Sequence, residues 1–243
     1  MTMLVSGSVN STGVPFDVAD GDAIPGLILE TSNVSANVGC LTEVVLEATD
    51  AAARFGLAID PLASLGLPAG AAISSPECVQ SSVGAVGQFC WDLRRVLSWK
   101  PARTQWGSKP LICFIASASS GQTRMRCLRV AVQRCTYCFG HSETLQDFTM
   151  SLGNGASWLQ IWSANPGIVG MPDQIQPGVP AQLGALYYPR ASDTLRSLGS
   201  RFLVSPDLLA LVNPDAAVLA GVDGFLQDIT DLCIMPGVCE NVV

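Results

Sequence analysis

Few residues in this chain have the types and spacing that chemistry requires. Cys135-Thr-Tyr-Cys138-Phe-Gly-His141 offers thiols beside the only histidine. Zinc asks for four converging ligands, usually from two separated pairs; the second pair is missing, and Cys233 with Cys239 has the wrong spacing. The spacing therefore predicts buried thiols beside a turn rather than a metal centre. A Ser-His-Asp or Cys-His hydrolase would have to use His141, yet no GxSxG elbow accompanies it. Gly121-Gln-Thr-Arg and Gly153-Asn-Gly lack the context of a phosphate loop. Asp228 and Asp231 could meet in a turn as a pair of acids, although a solvated loop explains them as well. No catalytic, cofactor-binding or metal-binding residue is expected, and the chain does not read as an enzyme.

Binding chemistry is better represented. Nine of the thirteen basic residues lie between Asp92 and Arg134, a basic band inside a protein of net charge −7. Arg94, Arg95, Lys100, Arg103, Arg124, Arg126 and Arg129 are the candidate contacts. They could neutralise phosphates while Trp91, Trp99 and Trp106 stack on bases; equally, they could form ion pairs between subunits. Trp158 and Trp162 supply a separate aromatic platform of the kind that holds a sugar.

The elements that position these residues follow from pattern. Residues 1–40 show no sustained period and read as an extended arm. Leu41, Val44, Val45, Ala48, Ala52 and Phe55 recur at helical spacing, which predicts a helix near 41–55. Residues 57–80 return to Pro, Gly and Ser. Arg124 to Arg134 reads as the strongest strand, with a slip in parity that demands a bulge or two-sided burial near Cys127. Beyond it, the runs Phe148–Leu152, Trp158–Trp162, Gln182–Tyr188, Phe202–Val204 and Val218–Met235 alternate with turn residues, a rhythm that predicts an all-β sandwich or barrel. No internal repeat is visible.

Composition adds limits. The chain is 49% hydrophobic and only 14% charged, so part of its surface is expected to lie against partners. The apolar stretch around 148–172 is too interrupted to span a membrane. Residues 1–13 do not read as a signal peptide, so export by the chain's own signal is not expected, and nine scattered cysteines read as reduced, buried thiols. In such a compartment the sequons Asn10-Ser-Thr and Asn33-Val-Ser carry no meaning.

Four stretches, in order, resemble the capsid proteins of picorna-like viruses, the dicistrovirus, iflavirus and picornavirus kind. They are Gly87-Gln-Phe-Cys-Trp-Asp92-Leu-Arg94-Arg-Val-Leu-Ser-Trp99, the run from Pro110 through Gly121 to Val130, Leu186-Tyr-Tyr-Pro189, and Ile229-Thr-Asp231-Leu-Cys-Ile-Met-Pro236-Gly237. The resemblance implies an eight-stranded antiparallel jelly roll over 81–243, with an N-terminal arm over 1–80 that contains the one helix. It also implies a structural role: a subunit of an icosahedral virion of a positive-strand RNA virus. Such a subunit would assemble in the host cytoplasm with sibling capsid proteins around genomic single-stranded RNA, without a cofactor. The alternative is a β-sandwich module that binds carbohydrate or another ligand.

Overall fold

A computed structural model of the chain describes residues 2–8, 31–49, 57–62, 66–84, 87–118, 123–153, 156–167 and 170–235. Its strands and helices, in chain order, are β1 (Thr2–Ser8), β2 (Thr31–Val38), β3 (Thr42–Thr49), β4 (Leu57–Pro61), β5 (Ala71–Ile73), β6 (Glu77–Gly84), β7 (Gly87–Trp99), β8 (Leu111–Ala118), β9 (Thr123–Cys138), α1 (Leu145–Ser151), α2 (Trp158–Ser163), β10 (Pro180–Gln182), β11 (Ala185–Tyr187), α3 (Leu195–Phe202), α4 (Pro206–Val212), α5 (Pro214–Ala220) and β12 (Leu232–Ile234). The fold is β-rich. It divides into two compact units, one built from residues 1–35, 42–99 and 109–131, the other from 36–41, 100–108 and 132–243. The boundary expected at residue 80 falls inside β6.

In the first unit, β1, β3, β7 and β5 follow one another in an antiparallel sheet, with β6 also paired to β7. Val44, Leu46 and Ala48 alternate inward along β3, and Leu93, Leu97 and Trp99 do so along β7. A second layer, β4-β8-β9, brings Ile59, Ile112, Phe114, Ala116, Leu128 and Val130 into the same core. The expected helix near 41–55 is corrected here: residues 42–49 are β3, and 50–55 lie outside the described residues. Val44 and Ala48 fit both periods, and pairing with β1 on one side and β7 on the other decides for the strand. Near Cys127 the β8–β9 register runs without a slip, and both Cys127 and Leu128 are buried, so the two-sided alternative holds.

The second unit overturns the strand reading at Phe148–Leu152, at Trp158–Trp162, at Phe202 and at the start of Val218–Met235, where helices stand, whereas Gln182–Tyr188 falls on β10 and β11. Runs of this length do not separate strand from helix by period alone. Caps do: Thr144 and Asp147, and Thr194 and Ser197, form reciprocal capping boxes at the starts of α1 and α3, while Pro206 and Pro214 open α4 and α5.

The same unit contains a repeat that the sequence conceals. In the first copy a strand end with Tyr137 pairs with β10, and α1 and α2 lie between them; in the second, β11 with Tyr187 pairs with β12, and α3, α4 and an additional α5 lie between. Each second helix is followed by an Asn-Pro whose asparagine is buried. Asn165 donates Nδ2 to the carbonyls of Ile161 and Gln182, both at 2.7 Å, and its Oδ1 accepts from the Gln182 N–H at 2.8 Å. Asn213 does the same with Leu209 at 2.9 Å and with the Cys233 carbonyl and N–H at 2.8 and 2.7 Å. One side chain thus ties a helix end to a strand in each copy, using both of its N–H donors and its carbonyl oxygen.

The eight described cysteines are not free thiols. Cys40–Cys138, Cys78–Cys90, Cys113–Cys127 and Cys135–Cys233 are disulfides, and Cys239 lies outside the described residues. Register explains one pair, since Cys113 and Cys127 sit directly opposite each other in β8 and β9. Two others close loops of 98 residues each, a pairing that spacing alone cannot reveal. Cys78 is exposed, whereas Cys113, Cys127, Cys135 and Cys233 are buried. Graded reduction with differential alkylation and peptide mass spectrometry should therefore open Cys78–Cys90 first and Cys135–Cys233 among the last; early labelling of Cys135 and Cys233 would contradict this packing.

Candidate functional site

Much of the basic band is consumed within the chain. Arg94 and Glu47 face each other across β7 and β3, with Nε and Nη2 at 2.9 and 2.6 Å from one carboxylate oxygen. Arg95 shares the parity of Leu93 and Leu97, so it reaches the Ile59 carbonyl at 2.6 Å, the Ser74 carbonyl at 2.7 Å and Asp60 at 3.2 Å. Arg103 lies over the rings of Tyr137 and Phe148, 5.0 and 4.6 Å from their centroids, and donates to Glu143 at 3.0 Å. Arg126 is half-buried, and that burial pulls its guanidinium below the ordinary arginine range. Lys100, Arg124 and Arg129 are exposed. The expected base-stacking tryptophans do not support an RNA groove: Trp99 and Trp106 are buried, their N–H groups given to the carbonyls of Ala69 and Thr136. The side chain of Trp91 lies outside those described.

The ninth member of the band, Arg134, is buried, with 4% of its side chain exposed. Asp215 takes it in a two-pronged grip, Nη1 to Oδ1 at 2.7 Å and Nη2 to Oδ2, while Asp231 lies 3.4 Å from Nε. Asn213 Oδ1 adds a 3.4 Å contact. Gly107, at φ +73°, lies flat against the guanidinium where any Cβ would collide with it. This geometry accounts for Asp231, proposed from sequence as half of an acid pair: it faces an arginine, and Asp228 is exposed.

Each copy of the repeat also joins a tyrosine and an acid to an arginine. Tyr137 donates to Glu143 at 3.1 Å, Glu143 accepts from the Gly140 N–H at 3.0 Å, and Arg103 completes the group. Tyr187 donates to Asp193 at 2.7 Å, which accepts from the Arg190 N–H at 2.8 Å and from Arg201 at 3.0 Å. Burial opposes the charge on Asp193, but the Arg190 N–H, the Tyr187 hydroxyl and Arg201 together outweigh it and hold the carboxyl below its ordinary value. Both phenols are pushed up, Tyr137 chiefly by burial and Tyr187 chiefly by its bond to Asp193. With every member engaged, these triads brace the fold.

The partly exposed aromatic surface lies on α2. Trp158, 38% exposed, and the half-buried Trp162 stand one turn apart on one side of the helix, while Ile161 is fully buried beneath. His141 is exposed in the turn before α1, and no cluster of metal-ligating side chains occurs among the described residues.

Two consequences are measurable. Replacing Arg134 with Ala leaves two carboxylates facing a cavity. Because Asp215 and Asp231 keep about a quarter of their surface, the loss should lie near the low end for a broken buried pair, about 3 kcal/mol in a urea titration. Asp193 stabilises the fold when ionised: its contribution is complete above the unfolded value, ~3.9, and disappears as pH falls through the lower folded value. Asp193→Asn should be less stable at neutral pH and should show a flatter loss of urea midpoint on acidification below about pH 4; parallel acid profiles would contradict that role.

No family model and no curated protein matches the chain. Among solved structures, it is similar to one titled "Crystal Structure of Rst D1-D2" at 13% identity and a TM-score of 0.29, over 42% of this chain and 45% of that one. It is also similar to domains 4 and 5 of the S-layer protein SbsC at 10% identity and a TM-score of 0.23, over 54% of this chain and 66% of that one. The chain thus spans less than half the length of the first.

Proposed function

We propose that the chain is an exported binding module that holds carbohydrate on the Trp158–Trp162 side of α2. The observation that carries this reading is the exposure of Trp158 on a helix whose Ile161 is fully buried, in a unit braced by two disulfides. An indole face left in water suits the C–H face of a sugar ring, since it buries apolar area while the hydroxyls stay solvated. Four disulfides suit an oxidising compartment, where surface glycans are abundant. The role is recognition without catalysis.

A second reading, the capsid subunit, draws support from a different observation. Leu203, Val218, Leu219, Phe225 and Tyr188 are all more than half exposed, a surface that suits burial against neighbouring subunits. Lys100, Arg124 and Arg129 would then be the outward basic contacts for RNA or for acidic neighbours. This reading also carries the jelly roll, and it has to accommodate five helices after β9.

One experiment separates the two. The native protein is sized and its absorbance ratio at 260 and 280 nm taken, then a panel of soluble oligosaccharides is titrated by calorimetry. A small monodisperse species that binds one sugar class, and loses about tenfold or more in affinity in Trp158→Ala, is expected, as for an aromatic hot spot. Binding unaffected by Trp158→Ala, or none across the panel, overturns the module. Uniform round particles carrying nucleic acid would establish the shell instead.

A further inference from the structure

We propose that Asn33 carries an N-linked glycan. Asn33-Val34-Ser35 is a complete acceptor sequon, with the hydroxyl two residues after the amide and no proline between. Its meaning turned on the redox compartment, and four disulfides now argue for the oxidising one.

The fold supplies the second condition. Along β2, Asn33 and Ser35 are exposed and Val34 is half-buried, so amide and hydroxyl share the outward face of the strand. A bulky glycan on Asn33 would therefore stand in solvent without displacing the buried Ala36 and Val38 farther along the strand. Among the described residues, β9 is the one strand paired with β2. A glycan there would shield an edge that could otherwise recruit a strand from another chain. The other sequon, Asn10-Ser-Thr, lies outside the described residues.

The transfer balances with a lipid-linked oligosaccharide diphosphate as donor. The Asn33 amide nitrogen forms a bond to the sugar's C1, the bond from C1 to the diphosphate oxygen breaks, the lipid diphosphate leaves with the electron pair, and one amide proton passes to base. No oxidant or reductant is needed.

The test is peptide mapping of the native protein before and after a glycoamidase that converts glycosylated asparagine to aspartate. The expected result is that the Asn33 peptide is missing at its unmodified mass and appears after treatment with the amide-to-acid mass change. Recovery of the unmodified peptide at full yield from disulfide-bonded native protein overturns the proposal. In the full chain secreted from eukaryotic cells, Asn33→Gln and Ser35→Ala should each remove one glycan's step in gel mobility. Equal mobility of Asn33→Gln and the parent chain also overturns it. Sugar binding at Trp158 is measured on deglycosylated chain, so failure of either idea leaves the other legible.

Discussion

The buried guanidinium of Arg134 is the constraint around which the second unit is arranged. A charge this far from water is tolerable only if every donor finds a partner, and the partners come from separate parts of the chain: Asp215 at the start of α5, Asn213 at the end of α4, and Asp231 before β12. Its flat face needs a residue with no Cβ, and Gly107 provides one. The adjacent Cys135 is bonded to Cys233, whose own backbone is held by Asn213. Charge, amide and disulfide therefore act on the same few ångströms of β9 and β12, and removal of one loosens the seats of the others.

The duplicated strand–helix–helix–strand unit shows which parts of that arrangement are general and which are local. Both copies keep the capped first helix, the Asn-Pro latch and the tyrosine–acid–arginine group. They differ in where the arginine comes from and in what surrounds it. Arg103 arrives from outside the first copy and rests on an aromatic cluster in which Tyr137, Phe139 and Phe148 lie with centroids 4.6 to 5.2 Å apart. Arg201 belongs to α3 of the second copy itself. The aromatic pair on α2 likewise has no counterpart on α4, where Pro206 and Ala210 occupy the corresponding places. The two copies thus share a frame, and one of them adds an aromatic face.

In the first unit, stability comes from conventional layers, with Arg95 as the exception. Its place on the inward parity of β7 is tolerated because two carbonyls and a carboxylate accept its donors, and Asp60 and Ser74 lie near enough to the surface to limit the desolvation. The Cys113–Cys127 bond lies on the opposite face of β8 and β9 from Ile112, Phe114 and Leu128, so cross-linking and apolar burial stabilise the same two strands from different sides.

Local pattern was enough to identify the strand at Arg124–Arg134, the turn residues and the predominance of strand, because alternation and Gly or Pro breaks act through neighbours along the chain; at Cys127 it left a bulge and two-sided burial as alternatives, and the unbroken register with β8 decided for the second. Helices of six to eight residues were not separable from strands by period, although the capping pairs Thr144 and Asp147 and Thr194 and Ser197 marked their starts. The basic band was plain as composition, but composition could not show that Arg94, Arg95, Arg103 and Arg134 find acids or carbonyls from distant segments. The repeat was hidden because its shared positions are few and scattered, and are linked by hydrogen bonds rather than by identity. Sequence by itself determined where the chain alternates, turns and carries charge. Only the tertiary structure decided which cysteines pair, which charges are neutralised and which tryptophan stays in water, since each of these depends on a partner that chain separation does not reveal.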